Sequence, residues 1–417
     1  MFPGRGHQAG MSPPTQPGPV PALDRFELLD VVRGVALFGI VSANMISYSL
    51  YLYLPDGAKR AIATHAADRV LDFLELFLIE GKFYTIFSIL FGVGFSVLLS
   101  RAAAKKLSFR SFYLRRLGVL FAIGFMHAVL FWHNDILEAY AVCGALLLPV
   151  VAARDRTVLG LAGLALLAPL AIKAAGGMSL SLLSDLQSNL YEHFGFTRAT
   201  RIETWTGGTP GEIVQLNLTQ VLGQVSFLIS SGMIFRIYGC FLLGFFIGRR
   251  EVFKKLESAR SLLRATAIAS FAIGLPLNAA YAMSFDSGSW TEALSGTFGI
   301  LPLSAGYVAV CCLMWLDPRG RIRLRRFAPV GRMALTNYVG QSAICALIFR
   351  ATGLALGGTM GPTLYLPIGF VVYVVQTIVS RWWLDRFQFG PLEWLWRMLT
   401  YGDRLPLRRP SVKESTH

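Results

Sequence analysis

Residues 71–100 read LDFLELFLIEGKFYTIFSILFGVGFSVLLS, and the stretch after Lys82, from Phe83 to Ser100, carries no charge. A helix crosses the hydrocarbon core of a bilayer with about 20 mainly apolar residues. The run therefore predicts one transmembrane helix, with Glu80, Gly81, Lys82 and Tyr84 in its outer half and Ser88, Gly92 and Gly94 following. Similar runs stand near 28–52, 112–132, 135–153, 157–174, 218–248, 263–284, 293–316, 331–353 and 362–384, which makes about ten spans. The run at 218–248 is long and polar at its start, with Asn217, Gln220, Gln224 and Arg236, so its first half is expected to be tilted, broken or interfacial.

Composition points to lipid as the solvent. The chain is 54% hydrophobic and 15% charged, against about 25% charged in an average soluble domain, and its mean hydropathy is +0.53. So much apolar surface in 417 residues cannot be hidden in one water-soluble core. The net charge of +15 lies in short blocks between apolar runs rather than along one soluble face, which argues against nucleic acid as a partner.

The basic blocks at Arg101–Arg116, Arg249–Arg264 and Arg319–Arg332, with the tail from Arg381, fall on one side in this count of spans. The lysine and arginine bias assigns that side to the cytoplasm. The loops at 53–70, 133–134, 175–217, 285–292 and 354–361 are nearly balanced or slightly acidic and fall outside. The expected fold is all-α, a polytopic integral membrane helical bundle of about ten transmembrane helices with both termini cytoplasmic.

Residues 1–24 hold six prolines and no apolar run, which reads as a disordered cytoplasmic tail rather than a signal peptide. Residues 25–400 read as a single transmembrane domain, and 401–417 as a flexible tail. Segment 175–217 is the one long exterior connection, placed to cap an external site. Residues 390–400, rich in tryptophan and arginine, suit a helix lying at the cytoplasmic interface. Cys143, Cys240, Cys311, Cys312 and Cys345 sit inside apolar runs without metal-ligand or redox spacing, and no metal is expected. No phosphate loop, dinucleotide fingerprint, zinc-protease helix or serine-hydrolase elbow occurs in a usable context.

Charged groups at mid-bilayer cost about 2.5–3.5 kcal/mol each, so those present should be paired, near a helix end, or lining a cavity. Asp30 and Arg33 are three apart and can pair; Asn44 lies eleven residues past Arg33, about three turns up the same face. His127 stands at the same spacing from Arg116, and Asp135 opens the next helix across a short turn. A histidine beside a carboxylate is the simplest general-base arrangement. Arg332, Asn337 and Gln341 form a donor-rich strip near the cytoplasmic end of the ninth span. Each feature also has a structural reading: a snorkelling arginine, an internal Glu80–Lys82 ion pair, an N-cap at Asp135, or hydrogen bonds between helices.

These segments resemble the YeiB-like bacterial membrane proteins, a family defined by a domain of unknown function. The matching stretches are Leu29-Asp30-Val31-Val32-Arg33-Gly34 with Asn44; Lys82-Phe83 with Phe87 and Leu90-Phe91-Gly92; His127 with Leu130-Phe131-Trp132, Asp135-Ile136-Leu137 and Tyr140; Gly331 to Tyr338 with Gln341; and Gly390-Pro391 with Glu393-Trp394-Leu395-Trp396-Arg397. The first helix also looks like that of transmembrane acyltransferases such as heparan glucosaminide acetyltransferase, matching at Arg33, Gly34 and Asn44. That wider resemblance implies an acyl-CoA donor, acetyl-CoA above all, reaching from the cytoplasm, and a histidine assisting transfer to an acceptor across a bacterial inner membrane. The group's histidine usually follows the first helix, where this chain has His65 in an exterior loop, so the base stands between His127 and His65.

The expected mechanism has Arg33, Arg332, Asn337 and Gln341 holding the donor, with His127, Asp135 and Asn44 performing transfer. Glu80, Lys82 and Tyr140 line the substrate path, and the acceptor is a hydroxyl or amine on an exterior saccharide or lipid-linked glycan. The rival class is a proton-coupled small-molecule transporter or lipid flippase using Glu80, Lys82, His127 and Asp135 as a relay. The bilayer is a partner under either reading, and a homodimer is compatible with both.

Overall fold

The computed structural model describes residues 27–104, 108–197 and 199–409. The tail expected at 1–24 and the end of the tail expected at 401–417 lie outside the described residues. Every regular element among the described residues is helical. Eight helices are long and apolar enough to cross a membrane: α1 (Glu27–Tyr48), the run His65–Ala104, α4 (Phe109–Leu130), α6 (Asp155–Ala174), α9 (Pro210–Ser230), α11 (Arg260–Ser284), α12 (Trp290–Leu316) and α14 (Pro362–Arg386). Two shorter apolar helices, Leu137–Val150 and Ala334–Phe349, pack among them. Large apolar side chains stay exposed along the outer helices, Phe121, Leu164, Ile268 and Ile378 among them, as expected of a bundle solvated by lipid. The protein is a multi-pass helical membrane protein.

Helix α1 is central: Val31, Leu37, Val41 and Met45 are fully buried. Tyr373 of α14 donates to the Gly34 carbonyl at 2.7 Å. Gly34 itself packs against the Phe327 carbonyl, and Gly331 against that of Asp30. Both contacts lack room for a Cβ, so the backbone before α13 (Ala334–Phe349) is drawn against the start of α1.

The single span expected at 71–100 is two helices, α2 (His65–Leu78) and α3 (Lys82–Ala104). Gly81, at φ +83°, turns the chain between them. The left-handed conformation costs a Cβ-bearing residue about 1–2 kcal/mol, which is why glycine stands there. The freed Leu76 carbonyl at the end of α2 accepts from Lys82 Nζ at 2.6 Å. The lysine is fully buried, with its amine closing a helix C-terminus.

The expected long span at 218–248 also divides, into α9 and α10 (Met233–Arg249), at Gly232 with φ +72°. Helix α10 runs antiparallel to α6, from Gly232 against Pro169 to Arg249, which donates to the Ala153 carbonyl at 2.8 Å and to Asp155 at 3.0 Å. It also lies alongside α3, where Gly92 meets the Phe241 carbonyl and Gly244 that of Ile89. Small residues permit this backbone approach in lipid, where no hydrophobic force drives helices together.

Segment 175–217, read from sequence as a long loop, is largely helical, with α7 (Ser181–Phe194) and α8 (Arg201–Gly207) leading into α9. Asn217 accounts for the polarity at this point. Its Oδ1 accepts from Trp205 Nε1 and Arg350 Nη1, both at 3.1 Å, and its Nδ2 donates to the Val129 carbonyl at 3.0 Å. One amide thus ties the cap to the ends of α4 and α13. Helix α15 (Pro391–Tyr401) falls where the interfacial helix was expected, and α5 (Leu137–Ala145) completes the elements around the site.

Candidate functional site

A cavity of about 460 Å³ runs up the bundle beside α1. Its wall on that helix includes Arg33, Leu37, Ile40 and Asn44, one face at helical spacing. Five arginines line the end formed by the start of α1, the end of α3, the start of α4, the segment before α13 and α15: Arg33, Arg101, Arg116, Arg332 and Arg397. Asp30 and Glu393 are the carboxylates among them, and Asp30 binds Arg33 Nη1 at 2.6 Å. The middle of the cavity is apolar, with Phe83, Phe87, Leu90 and Phe91 from α3. The far end holds Asn44, Glu80, Tyr84, Trp132, Asn134 and Gln224.

Two elements close the ends. At the arginine end, Glu393 of α15 accepts from the Leu335 and Thr336 backbone N–H groups at 2.7 and 3.1 Å, capping α13. Burial pushes this carboxyl above the ordinary glutamate range, while the Thr336 hydroxyl and backbone bonds oppose that shift. Trp396 donates to the Arg116 carbonyl at 2.8 Å, and the Arg116 guanidinium sits 3.6 Å over its ring. At the far end, Asn134 donates to Ser47 Oγ at 3.0 Å, and His133 stacks flat on Trp205 at 5.2 Å with its Nε2 3.0 Å from the Tyr53 hydroxyl. Burial, then the Arg350 and Arg201 charges, hold His133 well below the usual histidine range.

The break at Ile79–Gly81 lines the cavity with backbone as well as with Glu80. Non-helical backbone at membrane depth persists where it is buried in protein or faces a polar cavity. Lys82 and Arg236 are the basic neighbours of Glu80, and neither lines the cavity. Tyr140 does line it, held by Ser88 Oγ at 2.8 Å and the Tyr84 carbonyl at 3.1 Å.

His127 and Asp135 come together as the spacing suggested, with Nδ1 3.1 Å from Oδ1 and both side chains 1% exposed. They sit behind the cavity wall rather than in it. Tyr338 stands between: it lines the cavity, and its hydroxyl donates to Asp135 Oδ1 at 2.8 Å. The His127 ring lies 5.2 Å from that of Tyr338. His65 begins α2 and is not part of the lining.

Of the residues expected to hold a donor, Arg33 and Arg332 reach the cavity, whereas Asn337 and Gln341 point into the seam with α14. Asn337 donates to the Val330 carbonyl at 3.1 Å and Ser380 Oγ at 2.9 Å, and Gln341 donates to Gln376 at 3.0 Å. Sequence reasoning missed Arg397 and Tyr338. Arg397 lay in the recognised interfacial stretch, and Tyr338 is one residue past Asn337, hence about 100° around the helix and on the cavity face.

Comparison with known proteins places the chain among uncharacterized relatives. Uncharacterized protein YxaH of Bacillus subtilis (strain 168) is 30% identical over 406 residues, covering 93% of this chain and 96% of the relative. The chain belongs to the YeiB-like family. Uncharacterized protein YeiB of Escherichia coli (strain K12) is 30% identical over 401 residues, covering 91% of the chain and 97% of the relative. An uncharacterized 39.9 kDa protein from the amylase 3' region of Bacillus acidopullulyticus is 31% identical over 390 residues, covering 93% and 97%. Residues 247–403 match the family described as "Protein of unknown function (DUF418)", a stretch that includes Arg332, Tyr338 and α15. No solved structure matches.

Proposed function

We propose that this protein is a bacterial inner-membrane acyltransferase. In this reading an acyl-CoA, acetyl-CoA first among them, enters from the cytoplasm, and its acyl group passes to a hydroxyl or amine on a saccharide or lipid-linked glycan at the outer side. The observation that carries it is the cavity face Arg33, Leu37, Ile40 and Asn44. Eleven residues of helix span ~16 Å, comparable with an extended pantetheine arm. The phosphates would meet the arginine cluster, and the thioester carbonyl would stand near Asn44, whose amide N–H suits the oxygen on which charge develops. Glu80, Trp132, Asn134 and Gln224 would line the acceptor's place.

The orientation follows from ten crossings, with α10 crossing and α9 lying along the outer face. Asn217 near the start of α9 bonds Val129 at the end of α4, and Gly232 after its end meets Pro169 in the last turns of α6. Both ends of α9 thus lie toward one side. Counting α1, α3, α4, α5, α6, α10, α11, α12, α13 and α14 puts every basic loop and both termini in the cytoplasm.

A carrier is the second reading, favoured by the helix break at the cavity, a feature of transporter substrate sites. Binding of acetyl-CoA and longer acyl-CoAs to detergent-purified protein separates the two. Acyl transfer expects binding that weakens at least about tenfold in Arg33→Ala, and thioester turnover that is lost in His127→Ala while binding is kept. Folded wild type that binds no acyl-CoA overturns the donor assignment; proton-coupled uptake into vesicles without CoA then establishes the carrier.

A further inference from the structure

We infer that Tyr338 is the residue that touches the acceptor and takes its proton, with Asp135 and His127 acting through it. This rests on the acyl-transfer reading and moves the chemistry one residue outward from the histidine. His127 and Asp135 do not line the cavity, so neither can reach an acceptor directly in this conformation. Tyr338 does line it, and its hydroxyl is already bonded to Asp135 Oδ1 at 2.8 Å. The same oxygen lies 3.1 Å from His127 Nδ1, so one carboxylate atom faces both the hydroxyl and the imidazole. The titratable groups around this point are His127 from α4, Asp135 just before α5, Glu138 from α5 and Tyr48 from α1.

As the acceptor oxygen attacks the thioester carbon, its proton passes to the Tyr338 oxygen and the Tyr338 proton passes to Asp135. The new carbon–oxygen bond forms, the carbon–sulfur bond breaks, and the departing thiolate takes the proton back through Tyr338. The acceptor ends as an ester and the donor as free CoA, with no net proton change. His127 is a positioning residue, packed against Asp135 with its Nδ1 3.1 Å from Oδ1.

The test is steady-state acyl transfer, with donor binding measured separately, on wild type, Tyr338→Phe, Asp135→Asn and His127→Gln. Tyr338→Phe keeps the ring and removes the relay. It should lower kcat by about a hundredfold or more, the range for a positioned acid–base group, with the donor Kd unchanged within about twofold. Asp135→Asn, which can accept a hydrogen bond but not the proton, should match it and serves where Tyr338→Phe fails to fold. His127→Gln should retain more activity than either and displace the pH profile. A Tyr338→Phe or Asp135→Asn protein within about threefold of wild-type kcat overturns the assignment while leaving acyl transfer standing. A wild type without donor binding or thiol release overturns the acyl-transfer reading itself, and this assignment with it.

Discussion

Arg33 and Gln341 show what separates a site residue from a scaffold residue with similar hydrogen-bonding chemistry. Arg33 lines the cavity with one local partner, whereas Gln341 is fully buried and spends its amide on Gln376 across the seam with α14. Gln341→Leu leaves a buried acceptor on Gln376 unpaired, a loss of about 1–3 kcal/mol. The expected outcome is a lower melting temperature in detergent with donor affinity unchanged, read by thermal denaturation and equilibrium binding on the same preparation. His133 gives a pH dependence at this scale. Its folded-state pKa is depressed by burial and by Arg350 and Arg201, so the unfolded chain takes up the proton first as pH falls. Stability is therefore full above the unfolded histidine value of about 6.5 and is lost progressively below it. Melting temperatures measured from about pH 7.5 to 5 should fall in wild type and fall less in His133→Gln. The Arg33–Asn44 face was legible because helical periodicity alone sets it. Tyr338 was not, because which face of α13 meets a cavity depends on where its neighbours sit.

At the scale of elements, four glycines that look alike in the sequence do two opposite things. Gly81 and Gly232 have positive φ and end helices, whereas Gly92 and Gly244 lie inside helices and let α3 and α10 touch backbone to backbone. A hydropathy window sees an apolar run with a glycine in every case, so the expected spans at 71–100 and 218–248 came out unbroken or broken without a place. The consequence is testable. Gly81→Ala places a Cβ residue at φ +83° and should cost about 1–2 kcal/mol, with the α3–α10 contact intact. Gly92→Leu drives a side chain into the Phe241 carbonyl, which cannot move without parting the helices. It should prevent recovery of monodisperse protein on size-exclusion chromatography, where Gly81→Ala remains recoverable. Equal behaviour of the two variants would contradict this division of roles.

For the whole molecule, apolar length alone makes α9 a crossing and passes over α10, whereas the contacts argue the reverse. Helix α10 follows the length of α6 antiparallel, from Pro169 to Asp155, and so must cross if α6 does. Asn217 in the first half of α9 sits beside the end of α4, and Gly232 just after α9 sits beside the last turns of α6. If α9 crossed as well, everything after it would invert, and the basic block Arg249–Arg264 would face outward against the charge bias. Single cysteines at Ser184 in α7 and at Ser258 in that basic block decide the matter. Both positions are exposed, and the five native cysteines are buried, which keeps the background low. With α9 outside, a membrane-impermeant maleimide labels Ser184→Cys in intact cells and Ser258→Cys only after the membrane is opened. Labelling of both in intact cells would make α9 a crossing. The arginine end of the cavity would still be set by α1, α3 and α4, which precede α9, but the α10–α14 half could no longer pack with them as described.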